Sequence, residues 1–359
     1  MTLGTLARQL PALWQDARFR QQLWNGVGIL AGLGAGVASY ALFHEPLHVR
    51  LDRLTIRLPG TQNRLPRQGL RILHISDTHY QGRNWREQAK TESIQRLCRG
   101  LEYDLFVHTG DFLHHDNGLP NLMDLLDRLP PPRLGGYAVF GNHDYSRYSH
   151  RTLLSQSWQN YCAAIQRNGH EGRRRHRALA SVEELVRFGR FFLDTPLDMK
   201  RSGRNDVSRL EQVLASRNIH VLHNRFVHLT HHVGRADGVD LYIAGVDDVV
   251  EGKPDLRQAL GGIPDDAPVL LLSHNPDILV DPESARADVI LAGHTHGGQI
   301  VLPWLGAAHT QSLHLSRHQV SGYLQRGKTH VYITRGVGEG IPVRLGARPQ
   351  VTLITLLPE

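Results

Sequence analysis

Histidines, carboxylates and an amide are grouped in five short blocks along the chain. They are Ser76-Asp77-Thr78-His79, Gly110-Asp111, Gly141-Asn142-His143-Asp144, Ser273-His274-Asn275-Pro276 and Gly293-His294-Thr295-His296-Gly297-Gly298-Gln299. Asp77 and His79 are two residues apart where a strand exits, so both lie on one side of the chain. His294 and His296 repeat that spacing. With Asp111, Asn142 and His274 these pairs make seven oxygen and nitrogen donors and no thiolate. A single zinc site takes only about three or four protein ligands. The set suits two metals of the Mn, Fe or Zn kind that share a bridging carboxylate. Two such metals about 3.5–4 Å apart clamp an in-line displacement at phosphorus and lower the pKa of a water between them. Taken singly, each block has an ordinary explanation: an aspartate after a strand caps a turn, and a lone histidine is a satisfied polar residue. All five in one chain, each on a strand end, read as one binuclear centre.

The elements that must position these blocks are short apolar runs bounded by loops. Strands are expected at residues 54–58, 70–76, 105–108, 137–140, 241–244, 269–272, 289–291, 331–334 and 351–356. Helical patterns lie between some of them, at 86–101, 121–129 and 181–192. The alternation is that of an α/β fold. Each block sits at or just after the C-terminal end of an expected strand, where open α/β sheets place their ligands. His74 and His108 fall inside strands and are expected in the core.

Composition sets the outer bounds. The chain has 359 residues, 40% hydrophobic and 21% charged, which excludes a disordered, fibrous or multi-span membrane protein. Two cysteines exclude a disulfide scaffold. The net charge of +7 comes almost wholly from arginine, whose planar fork suits oxyanions. Residues 24–43 form a glycine-rich stretch without a charge, long enough at about 1.5 Å per residue to span a bilayer core. It reads either as a spanning anchor or as an interfacial helix, with Gly28, Gly32 and Gly36 at helix-packing spacing. Residues 1–50 are therefore set apart as an N-terminal membrane segment, and 51–359 as the catalytic domain. Within that domain, 146–206 reads as a basic helical insertion. Over 167–204, Lys and Arg outnumber Asp and Glu by ten to five, with aromatic residues interleaved. Such a segment either lies on an anionic surface as a lid or is a solvated face.

The pattern D-x-H, GD, GNHD, H, GHTH resembles the calcineurin-like metallophosphoesterase superfamily. The ending GHTHGGQ, with SHNP about twenty residues earlier, looks like its bacterial membrane-linked branch. The run 332–356 is similar to the closing pattern of that branch, with Gln350 where an acidic residue is more usual. The resemblance covers 51–356 apart from the insertion. It implies a four-layer α/β/β/α sandwich of two mixed sheets, carrying the N-terminal hydrophobic helix and the insertion. It also implies two divalent metal ions, Mn foremost, with Fe or Zn as alternatives. By position, Asp77, His79 and His296 would hold the first metal. Asn142, His274 and His294 would hold the second, with Asp111 bridging. His143 would stay off the metals as general acid, oriented by Asp144. Arg335, His114, Arg174 and Arg177 are further expected substrate contacts.

The resemblance implies a hydrolase that cleaves a phosphodiester or pyrophosphate. The branch contains small phosphodiesterases and a UDP-2,3-diacylglucosamine pyrophosphatase of lipid A synthesis. A phosphorylated lipid or nucleotide-linked lipid is the expected substrate. That substrate places the domain at the cytoplasmic face of a bacterial inner membrane. Two other readings remain: a nuclease or cyclic-nucleotide phosphodiesterase, disfavoured by the membrane segment, and a non-catalytic anchored scaffold, disfavoured by the complete donor set. Oligomeric state is left open.

Overall fold

The protein is represented by a computed structural model that describes residues 15–82, 84–149, 161, 163, 187 and 200–359. Most of the expected insertion, with Arg174, Arg177 and the helix expected at 181–192, lies outside the described residues.

Two six-stranded sheets form the centre. The first contains β1 (Arg50–Leu58), β2 (Leu70–Ile75), β3 (Leu105–Thr109), β4 (Gly136–Val139), β7 (Ile219–Val221) and β16 (Gln350–Pro358), in the order β1-β16-β2-β3-β4-β7. All its neighbours are parallel except β16 and β2. The second contains β8 (Arg225–His231), β9 (Val239–Gly245), β10 (Val269–Leu272), β11 (Val289–Ala292), β14 (Gly322–Arg326) and β15 (Thr329–Ile333). Its order is β14-β15-β11-β10-β9-β8, parallel through the middle and antiparallel at both edges. Two small ribbons, β5 (Ser146–Ser149) with β6 (Lys200–Arg204) and β12 (Val301–Leu302) with β13 (Gly306–Ala307), complete the strands among the described residues.

The period-2 alternation of the central strands produces the layers. In β2, Leu70 and Ile72 face the second sheet, while Leu73 and Ile75 face outward. In β10, Leu270 and Leu272 face the first sheet, while Val269 and Leu271 face outward. The inward rows make the middle core. Outside the first sheet, helices α2 (Trp85–Cys98), α3 (Leu119–Arg128) and α5 (Val207–Ala215) cover Leu73, Ile75 and Phe106, and the one-turn α4 (Asn142–Tyr145) follows β4. Outside the second, α6 (Leu256–Leu260) and short turns cover Leu271 and Ile290. The four-layer sandwich of two mixed sheets is therefore the observed architecture.

Helix α1 (Ala17–Ser39) begins at Asp16, whose carboxylate accepts the Arg18 backbone N–H at 2.8 Å. It continues through a wide turn to Leu47, a run with mean hydropathy 1.7 that is long and apolar enough to cross a membrane. Its shaft is almost wholly exposed, and its far end is fixed to the domain. The Ala41 carbonyl accepts the Arg344 backbone N–H at 2.9 Å, and the Leu42 carbonyl accepts Arg86 Nη1 at 2.7 Å. Glu45 is buried and accepts the Gly346 N–H at 3.0 Å.

Ile72 is fully buried between the sheets. Truncating it as Ile72→Ala is expected to cost about 2–5 kcal/mol. A urea unfolding curve should show a lower midpoint at unchanged slope, and an unshifted midpoint would contradict the packing described here.

Candidate binuclear metal centre

The five blocks leave five parallel strands that end on one edge of the sandwich: β2, β3 and β4 from the first sheet, β10 and β11 from the second. Adjacent exits lock together through the backbone. Asp77 N–H donates to the Gly110 carbonyl and His79 N–H to the Asp111 carbonyl, both at 3.0 Å. The His294 N–H donates across the sheet gap to the Asp77 carboxylate at 3.0 Å. Asp77, His79, Asp111, His294 and His296 all have positive φ, between 48° and 67°. A non-glycine residue held there costs about 1–2 kcal/mol, and such strain persists only where surrounding structure over-determines it. Five strained positions in one cluster mark a functional site.

The side chains converge in two groups. In the first, His79 Nε2 and His296 Nε2 are 3.0 Å apart, and Asp77 Oδ1 lies 3.9 and 3.8 Å from them. In the second, His274 Nε2 is 3.2 Å from Asn142 Oδ1 and 3.1 Å from His294 Nδ1. Asp111 Oδ2 joins them, 3.3 Å from both His79 Nε2 and His274 Nε2. Ring nitrogens this close repel unless a proton or cation lies between them. Ligands about 2.0–2.2 Å from one cation stand about 3.0–3.6 Å from each other. The donor set therefore fits two divalent metal ions, one per group, with Asp111 placed between. His274 also points its Nδ1 at the Thr109 carbonyl, 2.7 Å away. That contact fixes the ring so that Nε2 is the ligand atom.

The electrostatics follow from burial of this set. Burial pushes Asp77 up to about 7, assisted by Asp111. Burial also opposes charge on His274, but Asp111 beside it, with Asp77 and Asp248, raises it to about 10. Burial lowers His294 to about 4, with the charge of His274 acting in the same direction. His79 and His296 are driven well down by burial and by their cationic neighbours. Three of the four imidazole ligands are thus neutral near pH 7, the form that binds metal.

His143 lies beside the donors, not among the two groups. Its ring centroid is 4.6 Å from that of His79, and its backbone N–H donates to Asp111 Oδ1 at 2.8 Å. Asp144 departs from the expected role. Its two oxygens accept backbone N–H groups of Asp111, Gly141 and Leu113 at 2.8, 2.9 and 3.0 Å. It therefore fixes the Asp111 turn instead of orienting the His143 ring. His114 packs on His143, with centroids 4.7 Å apart, and its Nε2 lies 3.2 Å from the Tyr148 carbonyl. Arg335 points elsewhere. Its guanidinium donates to Asp52 on β1 at 3.1 Å and to the Arg348 carbonyl at 3.0 Å. An arginine at a strand end carries no sequence signal for its direction, and the carboxylate on the adjacent edge strand claims it.

Two contributors were not identified from sequence. Tyr148 lies tilted against His143, 4.7 Å between centroids, and donates to Glu251. It stands on β5, at the base of the ribbon that carries the insertion. Arg344, fully buried, reaches to 3.4 Å from His296 Nδ1. The centre opens into a cleft of about 410 Å³ lined by Asp111, Asn142, His143, His294 and His296. Val249, Val250, Leu313 and Ile341 give that cleft an apolar margin.

Asp77 and His274 must give up protons to act as ligands, and both are held above their ordinary values. Metal affinity should therefore rise with pH from about 6 to about 8, by about tenfold per unit for each proton displaced. Calorimetric titration with Mn²⁺ in buffers of different ionisation heat checks this, since proton release makes the observed heat follow the buffer. An affinity independent of both pH and buffer would contradict the protonation pattern.

Comparison with known proteins agrees with the geometry. Residues 70–298 match the calcineurin-like phosphoesterase family. The chain is 30% identical over 333 residues to the UDP-2,3-diacylglucosamine pyrophosphatase LpxG of Chlamydia muridarum, covering 88% of this chain and 91% of that one. It is 26% identical over 345 residues to the metallophosphoesterase YkuE of Bacillus subtilis, covering 92% and 95%. A transmembrane protein with a metallophosphoesterase domain from Bos taurus is 34% identical over 312 residues, 84% of this chain and 54% of that protein. With the family match spanning the whole ligand set, this chain belongs to the calcineurin-like phosphoesterases and is a metal-dependent phosphoesterase.

Proposed function

We propose that the chain cleaves the diphosphate of a nucleotide-linked lipid, UDP-2,3-diacylglucosamine, into UMP and the acylated sugar phosphate. The domain acts from the cytoplasmic face of a membrane that α1 enters. The observation that carries the reading is the position of the donor cluster. It opens into a cleft with an apolar margin, and residues 340 and 341 of that margin adjoin the segment that fixes α1. The likeness to LpxG over nearly the full length of both chains supports the substrate.

Asp77, His79 and His296 in one group and Asn142, His274 and His294 in the other, with Asp111 between them, would hold divalent metals, Mn²⁺ foremost, which would supply Lewis acidity to phosphoryl oxygens and acidify a water. The remaining work falls to the chain. Asp111, rigid between two histidines and tied by Asp144 through the backbone, fixes the spacing of the groups. Water adds to one phosphorus of the diphosphate, and the bond to the bridging oxygen breaks. His143 lines the cleft, off both groups, and gives a proton to that departing oxygen. The neutral state of His79 and His296 keeps their lone pairs available as ligands.

Two measurements test this. UMP release from UDP-2,3-diacylglucosamine in detergent micelles with Mn²⁺ should be abolished in Asp111→Ala, with bis-p-nitrophenyl phosphate followed in parallel. Diester cleavage without UMP release would discard the substrate and direct attention to other phospholipids or to nucleic acid. His143→Ala should lower kcat by about 10²–10⁴-fold while metal content stays at two per chain. Loss of metal in that variant would instead make His143 a ligand.

A further inference from the structure

Pro303, Trp304 and Leu305 form the tip of the β12–β13 ribbon, and the structure leaves its apolar residues in the open. Trp304 is 96% exposed and Leu305 is 65% exposed. Trp304 also has φ of 65°, an uncommon conformation for a bulky residue. Single exposed apolar residues need no explanation. An adjacent Trp-Leu pair on a projecting turn differs, because tryptophan is the residue enriched at the membrane–water boundary.

The location of the tip identifies what covers it. Val301, at the base of the ribbon, donates its N–H to the Leu345 carbonyl at 2.7 Å. Arg344, the preceding residue, donates its N–H to the Ala41 carbonyl at the end of the apolar helix. Consecutive residues therefore hold the ribbon and the helix. Trp304 is three residues beyond Val301, within about 10 Å of it even if fully extended. The helix stays exposed up to this junction, with Tyr40 at 40% and Phe43 at 57%. The same segment lines the metal cleft through Gly340 and Ile341. Helix exit, ribbon and cleft margin thus share one short stretch of chain.

We infer that the Pro303–Leu305 tip is a second membrane contact, inserting into the bilayer that α1 enters and holding the cleft mouth at the lipid headgroups. The inference rests on the membrane-anchored reading of the preceding subsection. With two points of attachment the domain cannot swing about the helix end, and a lipid-linked diphosphate reaches the metals by moving sideways out of the membrane. The exposed Leu313 and Val250 of the cleft margin then meet acyl chains.

The test uses the full chain carrying Cys162→Ser, since Cys98 is buried. An environment-sensitive fluorophore is attached at Trp304→Cys, at Leu30→Cys within α1, or at Lys328→Cys on the exposed β14–β15 turn. Each protein is reconstituted in vesicles of phosphatidylethanolamine and phosphatidylglycerol. Emission at 304 and 30 should shift to the blue and be quenched by brominated lipid, while emission at 328 stays water-like. If 30 enters lipid and 304 does not, the second contact is wrong and the anchor stands. If neither enters, the inference fails together with the anchor. Independently, Trp304→Ser with Leu305→Ser should lower kcat/KM on a vesicle-presented lipid substrate about tenfold and leave soluble diester turnover unchanged. Equal loss on both substrates would also overturn the inference.

Discussion

Asp111 is the interaction on which the rest of the site depends. Burial alone would favour its protonated form, but His274, His143 and His79 surround it and hold it ionised, well below the ordinary carboxylate range. One oxygen stands between the two donor groups, and the other accepts the His143 backbone N–H. A single carboxylate therefore sets the distance between the groups and the place of the His143 backbone. Asp144 secures it from behind, with burial and the charge of Asp111 raising Asp144 to about 8. The backbone N–H bonds that it accepts favour its ionised form and oppose that rise.

Close approach of the two sheets imposes a second constraint. The donors come from loops that meet edge to edge, so some positions have no room for a side chain. A Cβ at Gly141 would collide with Asp111 Oδ1 and the His274 ring. A Cβ at Gly293 would collide with Ser76 Oγ and Asp77 Oδ2. Both glycines sit directly beside ligands in sequence, and the tight fit explains why the blocks have the form G-N-H and G-H-T-H. The positive φ of Asp77, His79, Asp111, His294 and His296 is the other expression of the same crowding. The chain must turn sharply out of each strand to bring the next side chain back over the sheet edge.

These features explain what was legible in the sequence. Central parallel strands are apolar on both faces, so β2, β3, β10 and β11 stand out as short runs, and the ligand blocks mark their ends. The strands that were not identified have weaker signals. β8 and β14 are edge strands, half exposed, with arginine, histidine and glutamine among their residues. β7 has only three residues. Direction of side chains is also invisible at sequence level. Arg335 and Arg344 both follow β15, two and eleven residues beyond its end, yet Asp52 claims the first and the second turns inward toward His296. Asp144 was expected to serve the neighbouring ring, but backbone N–H groups nearer to it take both oxygens.

Arg344 also determines how the apolar N-terminal helix relates to the centre. Its buried guanidinium donates to the carbonyls of Ala347 and Arg335, at 2.8 and 2.9 Å, and to that of Gly338. Burial lowers its pKa to about 10, with Glu339 opposing, so it remains charged at neutral pH. A buried cation of this kind is tolerated only where polar groups surround it, so the whole 335–347 loop must keep its shape. Glu339 in that loop is paired with Lys90 and with Arg86, the latter at 2.7 Å. Arg86 in turn donates to the Leu42 carbonyl at the helix end. The chain of contacts runs from the helix end through α2 and the loop to His296. Rotation of α1 against the domain would break charge-assisted bonds in a buried cluster, each worth about 1.5–3 kcal/mol. The apolar helix is thus fixed at its end to the loop that supplies Gly340 and Ile341 to the cleft.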